Sequence, residues 1–271
     1  MLSWVDGRPA AQLPLSDRGL AYGDGLFETL AVHQGQPSLL TAHLQRLRLG
    51  CGRLGIPFDE TLITDELRAF CAVLGEGVVK LIVTRGDGLR GYAPPAEAQP
   101  RRLLLASPLP VYPAEHAEQG IELFPCALRL AEQPRLAGLK HLNRLEQVLA
   151  RAEWQDSRYA EGLLRDQAGR PIEGVFSNLF LVSGGRLLTP SLERCGVAGV
   201  MRGALLDGAH ALGVACEVRD LAFDELLAAQ EIFLCNSVYG VWPVRRLETR
   251  VWLPGPLTRK LQGIARTLLD C

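Results

Sequence analysis

The stretch Pro108-Leu109-Pro110-Val111-Tyr112-Pro113 decides how the 271-residue chain divides. Three prolines in six residues favour extended backbone and remove ladder donors, so neither a helix nor an inner strand can run through it. Strand-like runs flank it at residues 102–107 and 121–130. Read outward, residues 1–106 form a smaller amino-terminal α/β part, 107–116 a linker, and 117–271 a larger carboxy-terminal α/β part.

Upstream, Gly25 to Val32 is strand-like, and Gln34-Gly35-Gln36-Pro37 is a turn. From Ser38 the period changes: Leu40, Leu44, Leu47 and Leu54 recur at helical spacing. Residues 64–74 read as a second helix, with Thr64 as its cap before Asp65 and Glu66. Residues 77–84 read as a buried strand. Downstream, residues 144–156 read as an amphipathic helix with Leu145, Val148, Leu149 and Ala152 on its apolar face. Residues 178–182 and 231–235 read as strands, and 201–212 as a helix. No internal repeat or low-complexity tract is present.

Composition narrows the function classes. Hydrophobic residues at 48% and charged residues at 22% fit a globular protein. Twenty-nine basic against thirty acidic residues leave a net charge of −1, which gives no electrostatic case for nucleic acid or a membrane surface. The longest apolar runs fall far short of the ~18 residues of a spanning helix. The first residues lack a basic start followed by an apolar run, so no secretory signal is expected and the location expected is cytoplasmic. The seven cysteines (51, 71, 126, 195, 216, 235 and 271) contain no Cys-x-x-Cys pair, and the five histidines contain no i, i+4 pair. Reduced thiols and no metal centre are the expectation.

Two segments invite chemistry. Gly86-Asp87-Gly88-Leu89-Arg90-Gly91 matches the dinucleotide fingerprint, but Tyr92-Ala93-Pro94-Pro95 cannot open the helix that the fingerprint requires. A strand-end loop is the better reading. The second segment is Leu139-Lys140-His141-Leu142-Asn143-Arg144, where Lys140 precedes a helix that Asn143 could cap. Position alone does not separate a surface lysine from one that forms a Schiff base. A lysine serving pyridoxal phosphate needs a carboxylate facing the ring nitrogen and a phosphate cradle. Glu173 is a candidate carboxylate, Gly196 to Arg202 a glycine-bearing turn opening a helix, and Arg46 a candidate cation. Each also has an ordinary reading, as a loop carboxylate, a simple turn and a solvated helix arginine.

Taken together and in order, these points resemble the class IV (fold type IV) pyridoxal-phosphate enzymes, which include branched-chain and D-amino-acid aminotransferases and 4-amino-4-deoxychorismate lyases. The resemblance is carried by Ser16-Asp17-Arg18, Tyr22 to Glu28, His43-Leu44-Gln45-Arg46-Leu47 and Lys140 to Arg144. It continues through Glu173-Gly174, Ser177 to Phe180, Gly196 to Arg202, and Asn236-Ser237 before Val241-Trp242-Pro243-Val244. It implies two α/β domains of the D-amino-acid-aminotransferase type, with pyridoxal 5'-phosphate in the interdomain cleft, and a homodimer. It makes Lys140 the Schiff-base lysine and proton shuttle and Glu173 the partner of the pyridine nitrogen. Arg46, the Val200 and Met201 amides and Ser237 form the implied phosphate cradle, with Tyr159 near the phenolic oxygen.

Within the family, Thr84 to Tyr92 and Ala137 to Leu149 resemble the lyase branch. That branch implies conversion of 4-amino-4-deoxychorismate to 4-aminobenzoate and pyruvate, a folate-pathway step coupled to aminodeoxychorismate synthase. Aldimine formation, C4 proton removal by Lys140 and loss of pyruvate would carry it, with Thr29 as an assisting hydroxyl. Arg90, Arg85, Glu28 and Asn236 are the candidate substrate contacts. Phe27-Glu28-Thr29 instead resembles the aminotransferases, so a branched-chain or D-amino-acid aminotransferase is the alternative.

Overall fold

The computed structural model describes residues 2–270. These form two compact units. One holds the chain up to Pro110, Leu139–Asn143 and the carboxy end from Leu269; the other holds Val111–Gly138 and Arg144–Leu268.

The first unit contains β1 (Ser3–Val5), β2 (Arg8–Pro9), α1 (Arg18–Tyr22), β3 (Gly25–His33), β4 (Gln36–Pro37), α2 (Leu40–Leu54), α3 (Glu60–Leu74), β5 (Gly77–Thr84) and β6 (Arg101–Ser107). Its strands lie in the order β2-β1-β6-β5-β3-β4, with every neighbouring pair antiparallel. Alternation along the strands sends Leu26 and Leu30, Val79 and Leu81, and Leu104 to one face, where Leu44, Leu47, Leu67 and Phe70 of α2 and α3 cover them. The second helix starts a turn earlier than the expected cap at Thr64. Asp59 accepts from the Leu62 N–H at 3.0 Å, while the Thr64 hydroxyl donates to the Glu60 carbonyl inside the helix. Asp59 is the true cap because its oxygen reaches the otherwise unpaired third N–H.

The second unit contains α4 (Ala114–Glu118), β7 (Ile121–Leu130), α5 (Leu145–Arg151), β8 (Tyr159–Asp166), β9 (Pro171–Gly174), β10 (Asn178–Ser183) and β11 (Arg186–Pro190). It continues with α6 (Val200–Ala211), β12 (Cys216–Arg219), α7 (Phe223–Ala228), β13 (Glu231–Asn236), β14 (Gly240–Leu247), β15 (Arg250–Val251) and α8 (Pro256–Leu269). The order β10-β13-β14-β7-β8-β9, with β9 returning to pair with β10 at Glu173 and Asn178, closes six strands into a barrel. Leu123, Leu163, Leu179, Leu234 and Val244 belong to one of its apolar clusters.

The helix expected over residues 144–156 is shorter, and its apolar face is the wrong one. Leu145, Val148 and Leu149 are 75%, 60% and 60% exposed, whereas Ala150 is buried. Trp154, just past the helix, is buried and stacks on Phe124 of β7. Nor does Asn143 cap α5: its amide donates to the Gly23 carbonyl, and Arg144 occupies the cap position without a side-chain bond.

Cys51, Cys71, Cys126, Cys195 and Cys235 are buried and Cys216 is half-buried, all as free thiols; Cys271 lies outside the described residues. Among the described residues no helix is long and apolar enough to cross a membrane, and no cluster of three His, Cys, Asp or Glu side chains could hold a metal ion.

Candidate active site

Lys140 lies on the short segment that the first unit takes from the middle of the chain. There the backbone behaves as a fragment of strand beside β3: Phe27 N–H donates to the Lys140 carbonyl at 2.9 Å, and Leu142 N–H to the Gly25 carbonyl at 3.0 Å. Leu26 and His141 form the bridge between these bonds. The Lys140 Nζ stands 4.6 Å from the centre of the Phe27 ring, and Lys80 Nζ is 4.7 Å from the same ring. The chain has three lysines, at 80, 140 and 260, among 29 basic residues. That scarcity was available in the sequence and sharpens attention on Lys140.

Strand alternation sends Phe27 and Thr29 to one face of β3 and Glu28 to the other. Glu28 is 2% exposed and faces α2, so the expectation that it meets substrate is corrected. Its carboxylate accepts from His43 Nδ1 at 2.6 Å and from Arg46 Nε at 2.9 Å, with a further ion pair to an Arg46 terminal nitrogen. Burial works to raise the Glu28 pKa. The Arg46 charge and the His43 hydrogen bond outweigh it and hold the group at about 2. Burial pushes His43 down and keeps it neutral, so Nδ1–H donates and Nε2 is left as a buried atom without a partner. His43 was passed over as a functional residue because nothing in the sequence ties it to Glu28. Arg46 is not a solvated helix arginine: its side chain is 12% exposed and ion-paired to Glu28.

Arg85 is also corrected as a substrate contact. Its guanidinium grips both oxygens of Asp24 and donates to the carbonyls of Gly55 and Leu54, and the residue is 8% exposed. Arg90, on the same loop, is exposed.

In the second unit, Glu173 is 3% exposed on β9, and its Oε2 accepts the Val197 N–H at 2.8 Å. A solvated loop carboxylate is therefore excluded. Val197 opens the turn into α6, whose first residues are Val200 and Met201. Gly199 takes the cap position, and no side chain caps the helix. A Cβ on Gly199 would stand 1.9 Å from Asn178 Oδ1, so the position must be bare. Asn178 itself donates to the Val197 carbonyl at 2.8 Å. The α6 start thus offers backbone N–H groups and the positive end of a helix dipole close in sequence to the Glu173 partner. Burial lowers the pKa of Arg144 and of Arg202, and the nearby Glu173 charge opposes both shifts.

Asn236 organises a turn rather than presenting its amide to a ligand. Its Oδ1 accepts from Val238 and Tyr239 N–H, each at 2.9 Å, and its Nδ2 donates to the Phe176 carbonyl. Ser237 lies within that turn. Tyr159 sits edge-on to Phe124, with the Arg158 guanidinium over its ring. Glu161, which sequence reasoning missed, is fully buried beneath the loop after Glu173. It accepts from the N–H groups of Gly162, Val175 and Phe176 and from the Ser177 hydroxyl.

The chain is similar along nearly its whole length to several known proteins. An aminodeoxychorismate lyase of Vibrio harveyi is 36% identical over 269 residues, covering 97% of this chain and 99% of that protein. The crystal structure of 4-amino-4-deoxychorismate lyase from Pseudomonas aeruginosa matches with a TM-score of 0.98 and 64% identity, covering 100% of both chains. The branched-chain amino acid aminotransferase of Escherichia coli matches with a TM-score of 0.84 and 26% identity, over 99% of this chain and 94% of that one. The family described as amino-transferase class IV matches residues 25–247. Matched by that family over most of its length, this chain belongs to the class IV aminotransferase family.

Proposed function

We propose that this chain is a pyridoxal-phosphate-dependent lyase that converts 4-amino-4-deoxychorismate to 4-aminobenzoate and pyruvate. The placement of Lys140 carries the reading: two backbone hydrogen bonds, one at its own carbonyl and one at Leu142, tie its segment to β3, and its amine lies over the Phe27 ring. On the cofactor side, a buried carboxylate at Glu173 fits a protonated pyridine nitrogen, and the uncapped α6 start behind Gly199 fits a phosphate. The two lyases named above align with nearly the whole chain, which favours this activity over others in the family.

Arg46, the Val200 and Met201 N–H groups and Ser237 would hold the phosphate, and Tyr159 would stand near the phenolic oxygen. When bound, the cofactor supplies an aldehyde for amines and an electron sink for the pair left at the substrate C4. Glu173 would keep the ring nitrogen protonated. Lys140 Nζ takes the C4 proton; breakage of the adjacent C–O bond then leaves an aromatic ring, and the Lys140 proton is available to the departing enolpyruvate. Acid–base help of this kind contributes ~10²- to 10⁴-fold. Thr29, on the Phe27 face of β3, would assist that transfer, and Arg90 would meet a substrate carboxylate. A homodimer and a cytoplasmic location belong to the same proposal; sedimentation equilibrium tests the first.

The direct test supplies 4-amino-4-deoxychorismate and follows 4-aminobenzoate fluorescence, with Lys140→Ala as control. Product from the wild type alone supports the reading. Glutamate formed from an amino acid and 2-oxoglutarate, without 4-aminobenzoate, would replace it with an aminotransferase.

A further inference from the structure

The loop from Gly86 to Ala93 is long, glycine-rich and exposed at its tip, yet both of its limbs are tied down. On the first limb, Gly88 N–H donates to the Ser16 carbonyl at 3.1 Å and the Ser16 hydroxyl to Asp87 at 2.7 Å. Arg101 also binds the Asp87 carboxylate, at 2.8 Å. On the second limb the anchor is Arg18, which is 4% exposed at the start of α1. Its guanidinium donates to three consecutive carbonyls: Gly91 at 3.1 Å, Tyr92 at 2.9 Å and Ala93 at 3.2 Å. Its Nε is held by Asp24 at 2.9 Å, the carboxylate that Arg85 grips from the other side. Tyr22, with the Arg18 guanidinium 4.9 Å from its ring, accepts the Gly91 N–H through its hydroxyl at 3.2 Å.

This arrangement accounts for the glycines of the false fingerprint. A Cβ on Gly88 would lie 2.7 Å from the Arg18 side chain, so that glycine gives the arginine room beneath the loop. Gly86 and Gly91 sit at φ +84° and +109°, where a side chain would be strained. Between the two anchored limbs, only Leu89, 92% exposed, and Arg90 are left at the tip. Arg18, engaged by Asp24 and by three carbonyls of this loop, leaves Arg90 as the exposed cation at the tip.

We propose that Arg18 is a positioning residue for substrate recognition: it staples the Gly91–Ala93 limb so that the Leu89–Arg90 tip meets a dianionic substrate in one geometry. The inference rests on the proposed function, in which the substrate is a dicarboxylate and Arg90 meets one of its carboxylates.

The test uses the holoenzyme and the variants Arg18→Gln, Tyr22→Phe and Arg90→Ala, with two readouts. In Arg18→Gln, the trypsin cleavage rate after Arg90, mapped by mass, is expected to rise roughly tenfold, the scale of one lost charge-assisted hydrogen bond. KM is expected to rise by a similar factor, about tenfold, with kcat within about twofold. In the Arg90→Ala background, Arg18→Gln should add little to KM, because both act through one contact. Should Arg18→Gln not fold, Tyr22→Phe, which removes a single hydrogen bond, should move both readouts the same way by about threefold. Unchanged cleavage, or a KM rise that persists undiminished without Arg90, overturns the inference. Wild-type protein that forms no 4-aminobenzoate sinks the lyase reading and the substrate role with it, whereas unchanged trypsin cleavage in an active enzyme sinks the Arg18 clamp alone.

Discussion

His43 Nδ1 lies 2.6 Å from Glu28 Oε2, and neither side chain is more than 2% exposed. A neutral imidazole and a guanidinium therefore converge on one buried carboxylate of the first unit. Such a pair costs stability when one member is removed, because the other charge stays buried without compensation.

Replacing Glu28 with Ala should destabilise the protein by about 3–5 kcal/mol at neutral pH, measured by urea unfolding. The pH dependence has a definite sign. The folded pKa of about 2 lies below the ordinary 4.5, so this contribution is complete above pH 4.5 and disappears as pH falls toward 2. His43, also lowered by burial, weakens the fold as pH drops below 6.5. The Glu28→Gln variant should lose less stability than wild type between pH 4.5 and 2. Parallel acid-unfolding curves would show that Glu28 is not held as described.

Glu161 should titrate in the opposite sense. Burial pushes it up to about 7, against the four hydrogen bonds that favour its charged form. A raised carboxyl gives its full stabilisation below pH 4.5, loses it as pH rises to about 7, and is flat beyond. Glu161→Gln should flatten that segment of a Tm-against-pH plot. A variant that keeps the wild-type slope would place the titrating group elsewhere.

Gly199→Ala probes the bare helix start. Its Cβ would fall 1.9 Å from Asn178 Oδ1, so Asn178 must move and release the Val197 carbonyl. We expect a loss of about 1–3 kcal/mol in stability and a weaker pyridoxal phosphate Kd, read by absorbance titration. Wild-type affinity and stability together would mean that the turn accepts a side chain there.

Local signals in the sequence located ten of the 23 elements among the described residues. The leucine period of α2 and the apolar runs of β5, β7 and β10 emerge where they were expected, because each element shows its own periodicity. The apolar face of α5 did not: spacing reveals that Leu145, Val148 and Leu149 share a side, but not what lies beside it, and that side is exposed while Ala150 and Trp154 are buried. The same limit governs the site. The resemblance points Glu28 toward substrate, and no local spacing ties it to its partners, His43 and Arg46, which lie 15 and 18 residues away on a helix. Arg85 and Arg18 became structural clamps through Asp24 and through loop carbonyls up to 75 residues distant. Motifs named the chemistry of these side chains; only the folded register decides which way each one faces.

Lys140 remains the centre of the account, and the chain offers only two other lysines that could take its place, Lys80 and Lys260. Lys80 lies as near the Phe27 ring as Lys140 does, which makes it an internal control. The decisive measurement is borohydride reduction of the pyridoxal-phosphate-loaded protein followed by peptide mapping. The account predicts a pyridoxyl label on Lys140 alone, lost in Lys140→Ala. A label on Lys80 or Lys260, or on none of the three, would contradict it.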